Sequence, residues 1–180
     1  LGGEAITVSD TGSVAANTLT TIATANSSGT LNVSAAGTIT GTADQIIAAF
    51  ADSTITEASD VALTVLTANS GTATLAKARS LDGLTTGVVT ATIADTRVSD
   101  LLGSTPLLDA NSNNAFTITI GTDDASVSAA NLNSLDALTT VAIIAGNVTT
   151  ITSDTLDSIN TLYASSGFSG LGNEAIILTE

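Results

Sequence analysis

The feature that most constrains this chain is a phrase written twice. Leu1-Gly2-Gly3-Glu4-Ala5-Ile6 returns as Leu171-Gly172-Asn173-Glu174-Ala175-Ile176, with five of six positions matching at a shift of 170. The next four positions are conservative: Thr7/Ile177, Val8/Leu178, Ser9/Thr179 and Asp10/Glu180. The 180 residues therefore read as one long repeat period, residues 1–170, followed by the start of the next, residues 171–180. Self-similarity at a fixed period belongs to repeat architectures, in which a unit completes its apolar core only against its neighbours.

Weaker echoes lie inside the period. Ser80-Leu81-Asp82-Gly83-Leu84-Thr85-Thr86 matches Ser134-Leu135-Asp136-Ala137-Leu138-Thr139-Thr140 at a shift of 54. Ser13-Val14-Ala15-Ala16-Asn17 resembles Ser126-Val127-Ser128-Ala129-Ala130-Asn131, and Thr38-Ile39-Thr40 resembles Thr150-Ile151-Thr152, at shifts of 113 and 112. These offsets suggest three degenerate subunits of roughly 55 residues.

Runs rich in Thr, Ile and Val suit a pleated surface: residues 6–8, 30–33, 38–40, 88–93, 116–120, 148–152 and 176–179. Between them lie stripes at helical spacing: Ile46, Ile47 and Phe50; Leu132, Leu135 and Leu138; Leu156, Ile159, Leu162 and Tyr163. Ser126 or Ser128 and Ser153-Asp154 stand where N-caps belong, and Gly29, Gly71, Gly87 and Gly167 where helices would stop. The expected fold is α/β: a right-handed repeat solenoid of short parallel strands and short helices, since parallel strands need crossovers. The alternative is an all-β solenoid in which the helical stripes are coil.

Composition removes whole function classes. With neither Cys nor His, there is no thiolate site, zinc finger or Ser-His-Asp triad. Three bases against seventeen acids, a formal charge of −14, leave no face for nucleic acid. No apolar stretch reaches the ~20 residues of a membrane span. Aromatic residues are 2% of the chain, so a carbohydrate-cleaving cleft between carboxylates has few platforms to draw on, and the chain reads as a non-enzyme. No signal peptide opens it, so it reads as a piece of something longer.

Three candidate sites remain. Asp109, Asn111 and Asn113 place oxygens at alternate positions, as a calcium loop does, although Asn114 replaces the usual Gly and Ile120 the closing Glu. Calcium is the one cofactor candidate. Thr-x-Thr pairs at 38/40, 54/56, 72/74, 90/92, 117/119 and 150/152 would put both hydroxyls on one strand face, a surface for ice, mineral or glycan. Asn26, Asn32 and Asn147 form sequons that chance accounts for. The bases Lys77, Arg79 and Arg97 are expected to neutralise nearby Asp82, Asp95 and Asp100.

Residues 134–140, Thr38-Ile39-Thr40-Gly41-Thr42-Ala43 and Gly170-Leu171-Gly172-Asn173-Glu174-Ala175 resemble the Ala/Thr/Asp-rich tandem repeats of very large secreted surface proteins of cyanobacteria and other aquatic bacteria. The resemblance implies export, exposure at the cell surface and a structural or adhesive role. The expectation is a structural repeat segment of an extracellular surface or fibre-forming protein: a spacer, coat or filament element. The alternative is an adhesin or ice-binding module using the outward Thr face. Its expected partners are adjacent repeats of the same protein, with end-to-end self-association of the segment alone.

Overall fold

The computed structural model describes residues 2–66, 72–103, 113–153 and 155–179. The chain divides into two compact units, Leu1–Thr92 and Ile93–Glu180.

In the first unit, short strands alternate with helices. In chain order they are β1 (Ile6–Thr7), β2 (Ser13–Ala15), α1 (Ala16–Ala25), β3 (Leu31–Asn32), β4 (Thr38–Gly41), α2 (Ala43–Ala51), β5 (Ile55–Thr56), β6 (Ala62–Val65), β7 (Thr72–Ala73), α3 (Leu75–Asp82) and β8 (Val89–Ile93). Two sheets form, β1–β3–β5 and β2–β4–β6–β8–β7. In the first, Ile6 lies opposite Leu31 and Leu31 opposite Ile55; in the second, Ser13 faces Thr38, Thr38 faces Ala62 and Leu63 faces Val89. All these pairings are parallel. The shift between partners stays nearly constant, shortest from Leu31 to Ile55 and longest, by two, from Leu63 to Val89. Each pass of the chain thus lies beside the previous one.

The second unit repeats the plan. It holds α4 (Val98–Leu101), β9 (Ala115–Thr117), a 3-10 turn at Thr122–Asp124, β10 (Ser126–Ser128), α5 (Ala129–Asp136), β11 (Ile143–Ile144), β12 (Thr150–Ser153), α6 (Leu156–Ala164), β13 (Phe168–Ser169) and β14 (Ala175–Leu178). β10–β12–β14 and β11–β13 are parallel, with Ser126 opposite Thr150, Thr150 opposite Ala175 and Ile143 opposite Phe168. These shifts fall within the range set by the first unit.

In five passes the strand of one sheet precedes that of the other by seven residues: Ile6 to Ser13, Leu31 to Thr38, Ile55 to Ala62, Ile143 to Thr150 and Phe168 to Ala175; in the pass where Thr119 bridges Ile144, the step from Thr119 to Val127, opposite Ile151, is eight.

The core is a set of aligned aliphatic side chains. Leu31, Val33, Ala36 and Ile39 are buried in one pass, and Ile143, Ala145, Val148 and Ile151 take the same spacing in the other unit. Fully burying a Leu or Ile contributes about 1.5–3 kcal/mol, so a narrow column of such residues suffices without aromatic bulk. Phe116 is the one aromatic ring among the largest fully buried side chains.

The helical stripes are helices, not the coil of the all-β alternative. Helices of eight to ten residues are marginal alone; packing and caps hold them. Ile46 and Ala49 of α2, Leu132 and Leu135 of α5, and Leu162 of α6 are buried. Thr42 and Gln45 form a reciprocal capping box on α2. Thr74 caps α3 and Ser128 caps α5. At α6 the cap is Thr155, whose Oγ1 accepts from Ser158 N–H, rather than the expected Ser153-Asp154; Asp154 lies outside the described residues. The expected glycine stops also differ. Gly71 lies outside the described residues, α1 ends on Asn26, and Gly87 and Gly167 serve close approach: a Cβ at Gly87 would run into the carbonyl of Asp60, and one at Gly167 into the Asp136 carboxylate.

Candidate functional site

Where one pass must be held on another, the Leu-Thr-Thr phrase supplies the fastening. After α3 the chain turns with Leu84 N–H donating to Leu81 O. Buried Thr85 then donates Oγ1–H to Val61 O at 2.6 Å and accepts Gly87 N–H at 2.9 Å, while Thr86 N–H donates to Ser59 O at 2.8 Å. The second copy does the same after α5. Thr139 Oγ1 donates to Phe116 O at 2.8 Å and accepts Val141 N–H at 3.2 Å, and Thr140 N–H donates to Asn114 O at 2.9 Å. Ser165 plays a related part after α6, donating to Asp136 Oδ2 at 2.6 Å and accepting Gly167 N–H. Hydroxyls at these corners satisfy carbonyls and amides that the short strands leave without ladder partners. The echo between Ser80–Thr86 and Ser134–Thr140 is this clamp made twice; its role was not legible before the carbonyls it grips were known.

The repeated Gly-Glu phrase also folds alike in both copies. Glu4 Oε2 accepts Gly2 N–H at 2.6 Å, and Glu174 accepts Gly172 N–H at 2.8 Å. Asn26 fastens the first copy: its Oδ1 accepts Glu4 N–H and its Nδ2 donates to Glu4 O. Asn26 is fully buried, so this sequon presents no acceptor to solvent. Tyr163 on α6 fastens the second copy, donating O–H to Glu174 Oε2 at 2.7 Å. Partial burial, with the Glu174 hydrogen bond and charge, pushes the Tyr163 phenol up to about 12. Burial would raise the Glu174 carboxyl, but donation from Tyr163 and from the backbone amides of residues 172–174 outweighs it and holds the group below its ordinary value.

The turn leads into β14, which pairs with β12 among the described residues and carries Ile176, Ile177 and Leu178 at 42–49% exposure. In the column of Ile176 the inner members are buried, Ile151 at 0% and Val127 at 5%, and Leu178 lies opposite buried Ser153.

A half-buried position in one column of apolar side chains holds a carboxyl. Glu57 follows β5 where Val33 follows β3, the register pairing Asn32 with Thr56. Its Oε1 is buried without a hydrogen-bond partner among the described residues. Burial, followed by the charge of Asp52, pushes its carboxyl up. Asp52 is held down by the Thr54 hydroxyl and amide.

The other expected sites fare as follows. Asp109 and Asn111 of the calcium candidate lie outside the described residues; Asn113 is half-buried, and Ile120, at the closing position, is fully buried. Among the described residues, no three acidic side chains gather as a metal site, and no helix is long and apolar enough to cross a membrane. Two of the three bases reach further than expected. Lys77 pairs with Asp44 at 2.8 Å, from α3 to α2, and Arg97 with Asp123 at 2.6 Å. Their long-range partners arise because helices and turns of successive passes lie side by side. Exposed pairs of this kind are worth at most about 1 kcal/mol. No family model matches the chain, and no curated protein or solved structure shows significant similarity to it.

Proposed function

We propose that each unit is a stretch of right-handed α/β solenoid, and that the chain is a structural segment of a secreted or cell-surface protein, serving as spacer, coat or filament element. The observation that carries this reading is the repeated register: parallel passes of nearly constant length, with a step of seven between two strand columns in five of them. Right-handedness follows from the strong rule for crossovers between parallel strands. The reading is non-enzymatic, supported by a composition with neither Cys nor His and few aromatic residues. A charge of −14 would keep a long wall of this kind soluble and resist lateral clumping.

The test is deletion by whole passes. Removing residues 31–54 joins Thr30 to Ile55 and leaves the stacking pattern intact; removing residues 31–42 leaves half a pass. The whole-pass deletion is expected to keep the parent's circular dichroism per residue and a cooperative melt, and the half-pass deletion to lose both. Equal damage from the two refutes the solenoid.

A second reading, ligand binding through an outward hydroxyl face, is favoured by one row. Thr40 lies opposite Thr64 and Thr64 opposite Thr90 across β4, β6 and β8. Replacing the three with Val and assaying adhesion to ice, mineral and glycan surfaces tests it; unchanged adhesion to all three returns the protein to the spacer reading.

A further inference from the structure

We propose that the corner formed by residues 57–60 is a pH-sensitive latch: closed on residues 33–36, as in this structure, while the Glu57 carboxyl carries a proton, and lifted, with that carboxyl turned out to water, once it ionises. This goes beyond a spacer role, because it gives one pass a second state.

The register places the acid. Asn32 lies opposite Thr56 and Thr38 opposite Ala62, so residues 33–37 and 57–61 run side by side, with Val33 beside Glu57. Val33 is fully buried, and so is Ala145 at the matching place in the other unit. Glu57 sets a carboxyl in line with such apolar positions, and its Oε1 is shielded from water without a hydrogen-bond partner among the described residues. An ionised carboxylate held away from water costs far more than a neutral carboxyl. The closed corner therefore suits the protonated form, and ionisation favours any arrangement that returns the group to solvent.

The corner has few bonds to break. β5 is the last strand of β1–β3–β5 among the described residues, so no described ladder continues on its far side. Across the near side, Val33 N–H donates to Thr56 O at 2.8 Å; across the far side, Thr86 N–H donates to Ser59 O at 2.8 Å. The Thr85 hydroxyl on Val61 O, at 2.6 Å, lies just past the corner and serves as its pivot.

The charges around it favour the same direction. The facing residues 31–37 and the clamp residues 84–87 carry none. α2 carries Asp44, with Asp52 at its C-cap; α3 carries Lys77, Arg79 and Asp82; the corner itself carries Asp60. Lys77 is paired with Asp44 at 2.8 Å. Burial raises the Glu57 carboxyl most, its own amide draws it back in part, and the charge of Asp52 adds to the rise.

The test is native-state hydrogen exchange on the full-length protein, followed amide by amide from about pH 4 to about pH 8 and corrected for the chemical exchange rate. Val33 and Thr86 report on the corner. Ala145 and Thr140, which donate to Ser169 O and Asn114 O at the matching places of the other unit, are controls, as is Ile46 within α2, which donates to Thr42 O. Protection at Val33 and Thr86 relative to the controls is expected to fall as pH rises from the ordinary value of 4.5 to the raised folded value, by at most about tenfold per pH unit, and to level off above it. Glu57→Gln keeps the size and removes the charge, and is expected to hold the ratio at its acid value throughout. A constant ratio in the wild type overturns the proposal, as does a pH step that survives in Glu57→Gln. A loss shared by Ile46 also overturns it, because the whole unit would then be loosening rather than this corner.

Discussion

Replacing Thr85 by Val tests whether the hydroxyl clamp holds one pass on the next. The substitution keeps the side chain's shape and removes one oxygen. Val61 O loses its 2.6 Å donor and Gly87 N–H its 2.9 Å acceptor. Ser59 O, the third contact at 3.2 Å, keeps the amide of Thr86 at 2.8 Å and contributes little to the cost. A buried polar group left without a partner costs about 1–3 kcal/mol. Thr85 is 5% exposed, but the Gly87 amide is only half-buried and recovers part of its loss from water. The sum is about 2–3 kcal/mol. In urea this lowers the midpoint by about 1 M or more at an unchanged slope, read by circular dichroism because the sole tyrosine lies in the other unit. Thr86→Val is the control: its hydroxyl reaches Ser59 O at 3.2 Å from an exposed position, so its loss is expected within about 0.5 kcal/mol. If the two variants melt within about 0.5 kcal/mol of each other, the clamp is not what fastens the passes.

Three further outcomes are expected. Glu57→Val should stabilise the protein at neutral pH. A carboxyl with a raised folded pKa opposes folding most when ionised, so the gain over wild type should shrink as pH falls through the raised folded value and be largely gone below the ordinary value of 4.5; a gain independent of pH would disprove the assignment. Tyr163 should ionise near 12 rather than 10, followed by phenolate absorbance. Its contribution is complete below pH 10 and lost as pH rises through the folded value, whereas the depressed Glu174 carboxyl contributes above 4.5 and loses that as pH falls through its folded value. Tyr163→Phe should flatten both limbs of the stability profile. Raising ionic strength from about 0.01 M to about 0.5 M should raise the melting temperature, because screening relieves the self-repulsion of an acidic chain; a fall in melting temperature would point to ion pairs dominating instead.

Where periodicity was strong, the fold was readable. The stripes through Ile46, Leu132 and Leu162 became α2, α5 and α6, because spaced Leu and Ile leave few alternatives. α1, α3 and β2 were not legible: Ala16–Ala25 and Ser13–Ala15 are built of small residues whose intrinsic preference is weak, and their structure comes from the passes they pack against. β6 was missed despite its alternation, since Ala62-Leu63-Thr64-Val65 is short enough to read either way. The Leu-Thr-Thr phrase stood out as a repeat, but not as a clamp, because its partners Ser59, Val61, Asn114 and Phe116 lie a full pass back along the chain. Lys77 and Arg97 were assigned to near acids for the same reason: sequence distance is a poor guide to neighbours when parallel strands bring successive stretches of chain side by side.

The corner between strand columns has a consequence for how such a chain can change length over evolutionary time. The corner is invariant in five passes, while the return arc through the helix, from Ser13 to Leu31 in one pass, is one shorter in the next, from Thr38 to Ile55. The corner too takes one more residue where Thr119 leads to Val127 through the 3-10 turn at Thr122–Asp124, so both arcs tolerate changes of a single residue. A gene encoding such corners can gain or lose whole passes by unequal recombination without learning a new core.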